Sequence, residues 1–295
     1  MTHIKIILVI CIFLLRESVK WLHPSESIKD FGTMNIIIEV IKNYLILIPQ
    51  VKYLAKKHHR TGANNDEKIV AERLSILLHA LSLEPACTQI EKGLFRVAEF
   101  GPGQTFDLIA EVLHHTKATQ AYACDVECYF PRDYMKQLGV EYIKTTQHSN
   151  GLPDSSINFA YCFDVLEHVR EPKSFLRDVW RTLSPGGVFF AKWDLRDHFH
   201  LDREELWFNM HRYNENTWSL MTSNRTNFVN RLQRQEWVEL IREASFEVIE
   251  ITCEQSRLAR ESFFRTFTQD IDSTYMITAI LRKQSGEESV VLSHS

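Results

Sequence analysis

The chain has 295 residues, 44% of them hydrophobic and 24% charged, with 10 glycines and 8 prolines. This is the composition of a folded α/β or mixed globular protein and excludes collagen-like, low-complexity and disulfide-scaffold classes. A formal net charge of −4 argues against a broad basic face for nucleic acid, which needs clustered Lys and Arg, so no nucleic-acid partner is expected.

The N-terminus opens with an uncharged apolar run, Ile6 to Leu15 (IILVICIFLL), between Lys5 and Arg16. A spanning helix takes about 20 such residues, and no small-x-small cleavage pattern follows the run. A second apolar stretch, Ile36 to Val51, carries Glu39, Lys42 and Pro49 and reads as amphipathic. For residues 1–33 a monotopic membrane foot and an extension ahead of an alternative start at Met34 both stay open. Residues 34–92 read as a helical lid or a membrane-peripheral segment. Within them Lys56 to Asp66 is a polar loop, Asn65 or Asp66 can cap the next helix, and Ile69, Leu74, Ile76 to Leu78 and Leu81 give that helix an apolar face.

From Gly93 onward strand-like and helix-like pieces alternate. Phe95–Phe100, Gln120–Cys124, Tyr142–Lys144, Ile157–Phe163, Val188–Trp193, Phe246–Thr252 and Tyr275–Leu281 read as strands. Phe106–His115, Asp133–Leu138, Pro172–Leu183 and Gln235–Ala244 read as helices, and Ser184-Pro185-Gly186-Gly187 as a helix-stopping turn. Strands separated by helices predict a parallel, doubly wound α/β sheet with helices on both faces. The domain spans 93–283 with an insert at 199–234, and 284–295 is a polar tail. The six cysteines (Cys11, Cys87, Cys124, Cys128, Cys162, Cys253) form no Cys-x-x-Cys pair or zinc spacing. They read as free thiols in a reducing compartment, which places the chain in the cytoplasm, with or without a peripheral membrane contact through the N-terminus. No metal site is expected.

Residues 99–105, EFGPGQT, follow the first strand, where such sheets bind ligands. Gly101 and Gly103 permit a tight turn and close backbone approach. The third glycine of a dinucleotide fingerprint would fall at Phe106, and Pro102 lacks the N–H a phosphate would want. Asp125 ends the second strand, 24 residues after Gly101, where a carboxylate can accept from both hydroxyls of a ribose or simply cap a turn.

Two further segments, LPDSSINFAYCFDVLEHV (152–169) and FLRDVWRTLSPGG (175–187), complete a pattern. With EFGPG and Asp125 they resemble the class I S-adenosylmethionine-dependent methyltransferases. The resemblance implies a Rossmann-like, three-layer α/β/α sheet of seven strands, mostly parallel with an antiparallel last strand. It implies S-adenosyl-L-methionine as cofactor, with Glu99, Gly101 and Gly103 around its methionine end and Asp125 on the ribose. Val126 or Glu127 would flank the adenine, and Asp164 with Val165 would lie beside the sulfonium. This chain departs from the family pattern in three places. Thr105 stands for the third motif glycine, Asn158 for the usual Asp before the fourth strand, and Gln147 or His148 for the acidic contact to the adenine amino group.

Transfer to a hydroxyl needs a base within hydrogen-bond reach. His198, after the fifth strand in Asp194-Leu195-Arg196-Asp197-His198, is the first candidate, with Asp197 as its neighbour; both can instead cap a loop. His168, in the Leu-Glu-His turn, is a second candidate but reads first as a residue that holds local structure. The insert holds Trp207, Phe208, Tyr213, Trp218 and Phe228 beside Asn224, Arg225, Asn227, Asn230 and Arg231, which suits a sugar or a packed cover. Its Asp-x-Arg-Asp-His and Asn-Arg-Leu segments are similar to those of bacterial methyltransferases that lie among polysaccharide biosynthesis genes. The expected activity is methyl transfer to a hydroxyl of a small-molecule or glycan-type acceptor. A nicotinamide oxidoreductase and a non-catalytic methyltransferase-like binding protein are the alternatives.

Overall fold

Ile157–Phe163 is buried at every position, as its unbroken apolar sequence requires of a strand covered on both faces. In the computed structural model it is the centre of a seven-stranded sheet. Residues 28–49, 51–52, 66–83, 95–103, 106–116, 118–127, 137–146, 149–225, 228–265, 267–268 and 270–284 are described. The apolar run at 6–15, the loop at 56–65, most of the helix expected at 133–138, and Thr105, Gln147 and His148 lie outside them.

The strands are β1 (Arg96–Phe100), β2 (Gln120–Asp125), β3 (Val140–Lys144), β4 (Ile157–Phe163), β5 (Leu183–Asp194), β6 (Phe246–Gln255) and β7 (Thr274–Lys283). Their order across the sheet is β3-β2-β1-β4-β5-β7-β6. The pairs β3–β2, β2–β1, β1–β4 and β4–β5 are parallel, whereas β7 runs antiparallel to both neighbours. The strand order reverses between β1 and β4, and their carboxyl ends therefore frame the crevice where ligands of such sheets sit.

The helices are α1 (Ile28–Leu45), α2 (Glu67–Ser82), α3 (Asp107–Thr116), α4 (Pro172–Thr182), α5 (Glu215–Thr222), α6 (Arg234–Glu243) and α7 (Arg257–Phe264). Side-chain alternation in β4 sorts the layers. Phe159, Tyr161 and Phe163 join Leu74 and Leu77 of α2 and Ile109 and Val112 of α3. Ala160 and Cys162 face the other way, toward Leu176 and Val179 of α4 and Trp237 and Ile241 of α6. Local chemistry sets the helix starts. The Asp66 carboxylate accepts from the Lys68 N–H at 2.9 Å, Pro172 occupies the first turn of α4, and Gln233 with Glu236 forms a reciprocal cap on α6.

Two expectations are revised. Ser184 to Gly187 is no separate turn: β5 already begins at Leu183, pairs with Ile157, and rejoins β4 at Val188↔Phe159. The extra residues form a bulge, which needs glycine because a Cβ on Gly187 would lie 2.8 Å from the Ser184 carbonyl. Helix α7, absent from the sequence reading, packs Ala259 and Phe263 with Phe208 and Ile271.

The chain divides into two units, one from Met1–His58 with Tyr213–Phe228 and the other from His59–Arg212 with Val229–Ser295. The sheet and both its layers belong to the second. Within the first, α1 is joined to α5 and the turn after it by polar contacts. Asn43 Nδ2 donates to the Leu220 carbonyl at 2.8 Å, and Arg225 pairs with Glu39 at 2.7 Å. Arg225, read above with sugar recognition, is thus committed to a helix contact. No helix among the described residues is long and apolar enough to cross a membrane.

Candidate active site

Two polar clusters lie at the carboxyl ends of the central strands. The first surrounds the turn after β1. Gly101 and Gly103 both adopt φ of +69°, a left-handed conformation that costs glycine little. The Gly101 N–H donates to the Cys124 carbonyl at 2.8 Å. A Cβ on Gly101 would fall 2.4 Å from Val165 Cγ2, so the turn meets the end of β4 only because residue 101 is glycine. Asp125, the last residue of β2, accepts from the Gly103 N–H at 3.2 Å and the Glu127 N–H at 3.3 Å. Burial raises its pKa against the pull of these bonds. Each carboxylate oxygen takes one backbone N–H and keeps capacity for another donor. Val126 beside it is 55% exposed, an apolar surface available to a flat ligand.

Glu99 is 2% exposed and accepts from the Tyr161 hydroxyl at 3.3 Å. Burial pushes its pKa up to about 8, with the Tyr161 bond and the Arg73 charge opposing. The carboxyl is held mostly protonated at neutral pH, and a cation brought beside it would ionise it. Asp164, just past β4, has φ of +56° and pairs with Arg73 of α2 at 2.7 Å. The same guanidinium lies 4.6 Å from the Phe163 ring centroid. Backbone strain of this kind collects at functional sites, and Asp tolerates the left-handed region better than most residues. Glu99 and Asp164 stand out in the sequence, whereas their partners Tyr161 and Arg73 do not. Arg73 is one basic residue in an amphipathic helix, and nothing in the primary pattern singles it out.

The second cluster is built from the turn Leu166–His168 and the loop after β5. Asn230 holds the turn: its N–H donates to the Glu167 carbonyl at 2.8 Å, and its Nδ2 donates to the carbonyls of Leu166 at 2.8 Å and Val169 at 3.1 Å. Asn230, placed above with sugar recognition, is therefore a clamp. Glu167 is fully buried, and its Oε1 accepts from the Asp194 N–H at 3.3 Å. Burial and the nearby Asp164 push its pKa well up. The rings of His168 and His198 lie 5.0 Å apart at 69°. His198 Nε2 is 3.8 Å from Asp194 Oδ2, too far for a hydrogen bond. Burial, with His168 adding to it, lowers His198 to about 4, so this imidazole is neutral at pH 7.

Asp197 sits differently from the expectation of a partner for His198. Its carboxylate accepts from the Phe199 N–H at 2.9 Å and contacts His200 Nδ1 at 3.1 Å. The acidic group nearest His198 Nε2 is instead Asp194, itself bound to Arg196 at 2.6 Å. The insert's aromatics are largely committed to packing. Phe208 and Trp218 are buried, and Trp207 lies against Tyr275 at 4.8 Å with the Arg196 guanidinium over its ring.

Residues 49–251 match the family described as a methyltransferase domain. No curated protein matches the chain in sequence. Among solved structures it is similar to a Bacillus halodurans C-125 protein provisionally identified as a methyltransferase, with 14% identity, 67% of this chain and 98% of that one covered, and a TM-score of 0.45. It is also similar to an S-adenosylmethionine-dependent methyltransferase from Mesorhizobium loti, with 14% identity, 67% and 96% covered, and a TM-score of 0.41. A third is the trans-methyltransferase CalH in complex with SAH, with 15% identity, 67% and 54% covered, and a TM-score of 0.45. The assignment rests on the family match, which takes in both clusters and sets the nicotinamide oxidoreductase aside. The chain belongs to the class I S-adenosylmethionine-dependent methyltransferases, and S-adenosylmethionine is its cofactor.

Proposed function

We propose that the chain methylates a hydroxyl of a small-molecule or glycan-type acceptor. S-adenosylmethionine supplies a methyl group on a sulfonium, so the protein's tasks are to align the acceptor and exclude water. The first cluster fits that cofactor. Gly101 and Gly103 leave room for close backbone approach, Asp125 retains acceptor capacity for a ribose diol, and Val126 offers an apolar surface. Glu99 can ionise against the amino acid end, and Asp164 with Val165 borders the turn.

The observation that carries the hydroxyl reading is His198. Its Nε2 is buried and has no hydrogen-bond partner among the described residues, at the carboxyl end of β5 and beside His168. A neutral imidazole with an unused lone pair suits an acceptor that must shed a proton as it reacts. An acceptor arriving already as a carboxylate would have no use for it. The test is incubation with methyl-labelled S-adenosylmethionine and a panel of sugars, glycans and small alcohols. Label is expected in a product that survives mild alkali, as an ether does. Label only in alkali-labile esters, or in amines, would overturn the reading. His198→Ala is expected to lower turnover and leave S-adenosylhomocysteine affinity unchanged.

A further inference from the structure

Glu167 Oε2 and His198 Nε2 are both buried and both lack a hydrogen-bond partner among the described residues. Their residues belong to one group: Glu167, His168 and His198 each offer one donor atom, and these three atoms lie within 4.8 Å of one another. Two buried polar atoms without partners are unfavourable, since each loses its solvation without recompense.

We propose that Glu167, His168 and His198 bind one divalent transition-metal ion of the zinc, cobalt or manganese type. Two imidazoles and one carboxylate form the mixed N/O donor set such ions take. Ligand bonds of about 2.0–2.2 Å require the three side chains to close inward by small torsional shifts. Their supports are in place for this. The Asp194 N–H holds Oε1 of Glu167 and leaves Oε2 as the free donor, and Asn230 fixes the turn that carries Glu167 and His168. Such outer partners orient ligands and raise metal affinity. Three protein ligands leave a fourth position open, the arrangement of catalytic rather than structural sites. His168 and His198 are each partly exposed, whereas Glu167 is buried.

The proposal deepens the hydroxyl reading and rests on it only for what the ion does. With the ion bound, the His198 lone pair is spent on the metal, and the ion takes over its part: a hydroxyl in the fourth position would be made more acidic by the cation and lose its proton to water. Whether the ion binds does not depend on methyl transfer.

The experiment uses the full chain, stripped with chelator and titrated with Co²⁺, followed by absorption and by metal content after gel filtration. One equivalent with a tetrahedral-type spectrum is expected. Glu167→Gln, which keeps the acceptor for the Asp194 N–H, and His198→Asn should each weaken uptake by more than about tenfold. His115→Asn, in the exposed His114–His115 pair of α3, should leave uptake unchanged. S-adenosylhomocysteine affinity of every variant checks that the fold survives, and if one variant fails that check the other decides. Absence of Co²⁺ uptake by chain that binds S-adenosylhomocysteine would overturn the proposal and leave the two atoms to a bridging water or to a proton shared between them. Uptake equal in wild type, Glu167→Gln and His198→Asn would overturn it by placing the ion elsewhere. Uptake through these residues with no methyl transfer to hydroxyls would instead sink the reading under Proposed function and leave the metal site standing.

Discussion

The two clusters at the sheet's carboxyl edge are made of different materials. The β1–β2 cluster is mainly backbone: two glycines at φ of +69°, N–H groups on Asp125, and a turn that touches Val165 because Gly101 has no side chain. The β4–β5 cluster is mainly side chain: Glu167, His168 and His198 come from two segments and leave two buried polar atoms without partners among the described residues. A site made of backbone is hard to alter without damaging the fold, and it suits the cofactor shared across a family. One made of side chains can be rewritten residue by residue, as acceptor choice requires. Substitutions in the first should therefore cost binding and stability together, and those in the second should cost turnover or metal alone.

The largest effect is expected at Gly101. Gly101→Val combines a left-handed backbone, worth about 1–2 kcal/mol against an L-residue, with a collision at Val165 that adds overpacking strain of about 1–3 kcal/mol. Thermal denaturation should show the loss, and calorimetry should show S-adenosylhomocysteine binding reduced more than about tenfold. Adding Val165→Ala should restore part of the stability but leave the backbone strain, and two fully additive effects would mean the contact is unimportant. Next is Asp125→Ala, which removes a carboxylate whose free capacity faces the crevice. Affinity for S-adenosylhomocysteine should fall by about 1–3 kcal/mol, and the melting temperature should fall as well because the Gly103 and Glu127 N–H groups lose their acceptor. Unchanged affinity would remove Asp125 from the cofactor site.

Glu99 gives a pH test of the same cluster. Its carboxyl is raised from 4.5 to about 8 by burial, so the unfolded chain releases this proton at lower pH than the folded chain. The folded state is favoured most below 4.5, and that contribution drains away as pH rises toward 8. Glu99→Gln should flatten the stability curve across this window. Binding of the cationic cofactor should tighten over the same range and release a proton, seen as a buffer-dependent heat. A binding heat indifferent to buffer would show that Glu99 does not meet the ligand's charge.

How far the sequence revealed these two clusters follows from what they are made of. Glycines, the acidic residue ending β2 and the unbroken apolar run of β4 are local signals, so β1 to β5 and the first cluster could be read in order along the chain. Both ends of the sheet were legible because strand periodicity is local too. The bulge at Ser184 to Gly187 was not, since a proline-glycine run looks the same inside a strand as beyond one. Arg73 reaches Asp164 across 91 positions, and Asn230 reaches Leu166 across 64. No spacing rule connects such pairs; only the packed sheet does. Glu167 escaped notice because its neighbour His168 looked like the chemistry, while its own importance lies in being fully buried with an oxygen to spare.

The smallest effect, and the sharpest test between sequence expectation and geometry, concerns Asp197. Adjacent to His198 in sequence, it invites the role of an orienting carboxylate, and removing such a partner typically costs orders of magnitude in turnover. Its oxygens, however, serve the loop that holds them: one takes the Phe199 N–H and the other faces His200. Asn keeps an acceptor for the Phe199 N–H but alters the contact with His200 in a fully buried position, so Asp197→Asn should cost about 1 kcal/mol of stability. Turnover on the labelled-cofactor assay should stay within about threefold, an energy below roughly 1 kcal/mol. A hundredfold fall with unchanged cofactor affinity would restore Asp197 to the reaction. A near-neutral result would leave Asp194, at 3.8 Å from His198 Nε2, as the carboxylate that shapes this end of the sheet.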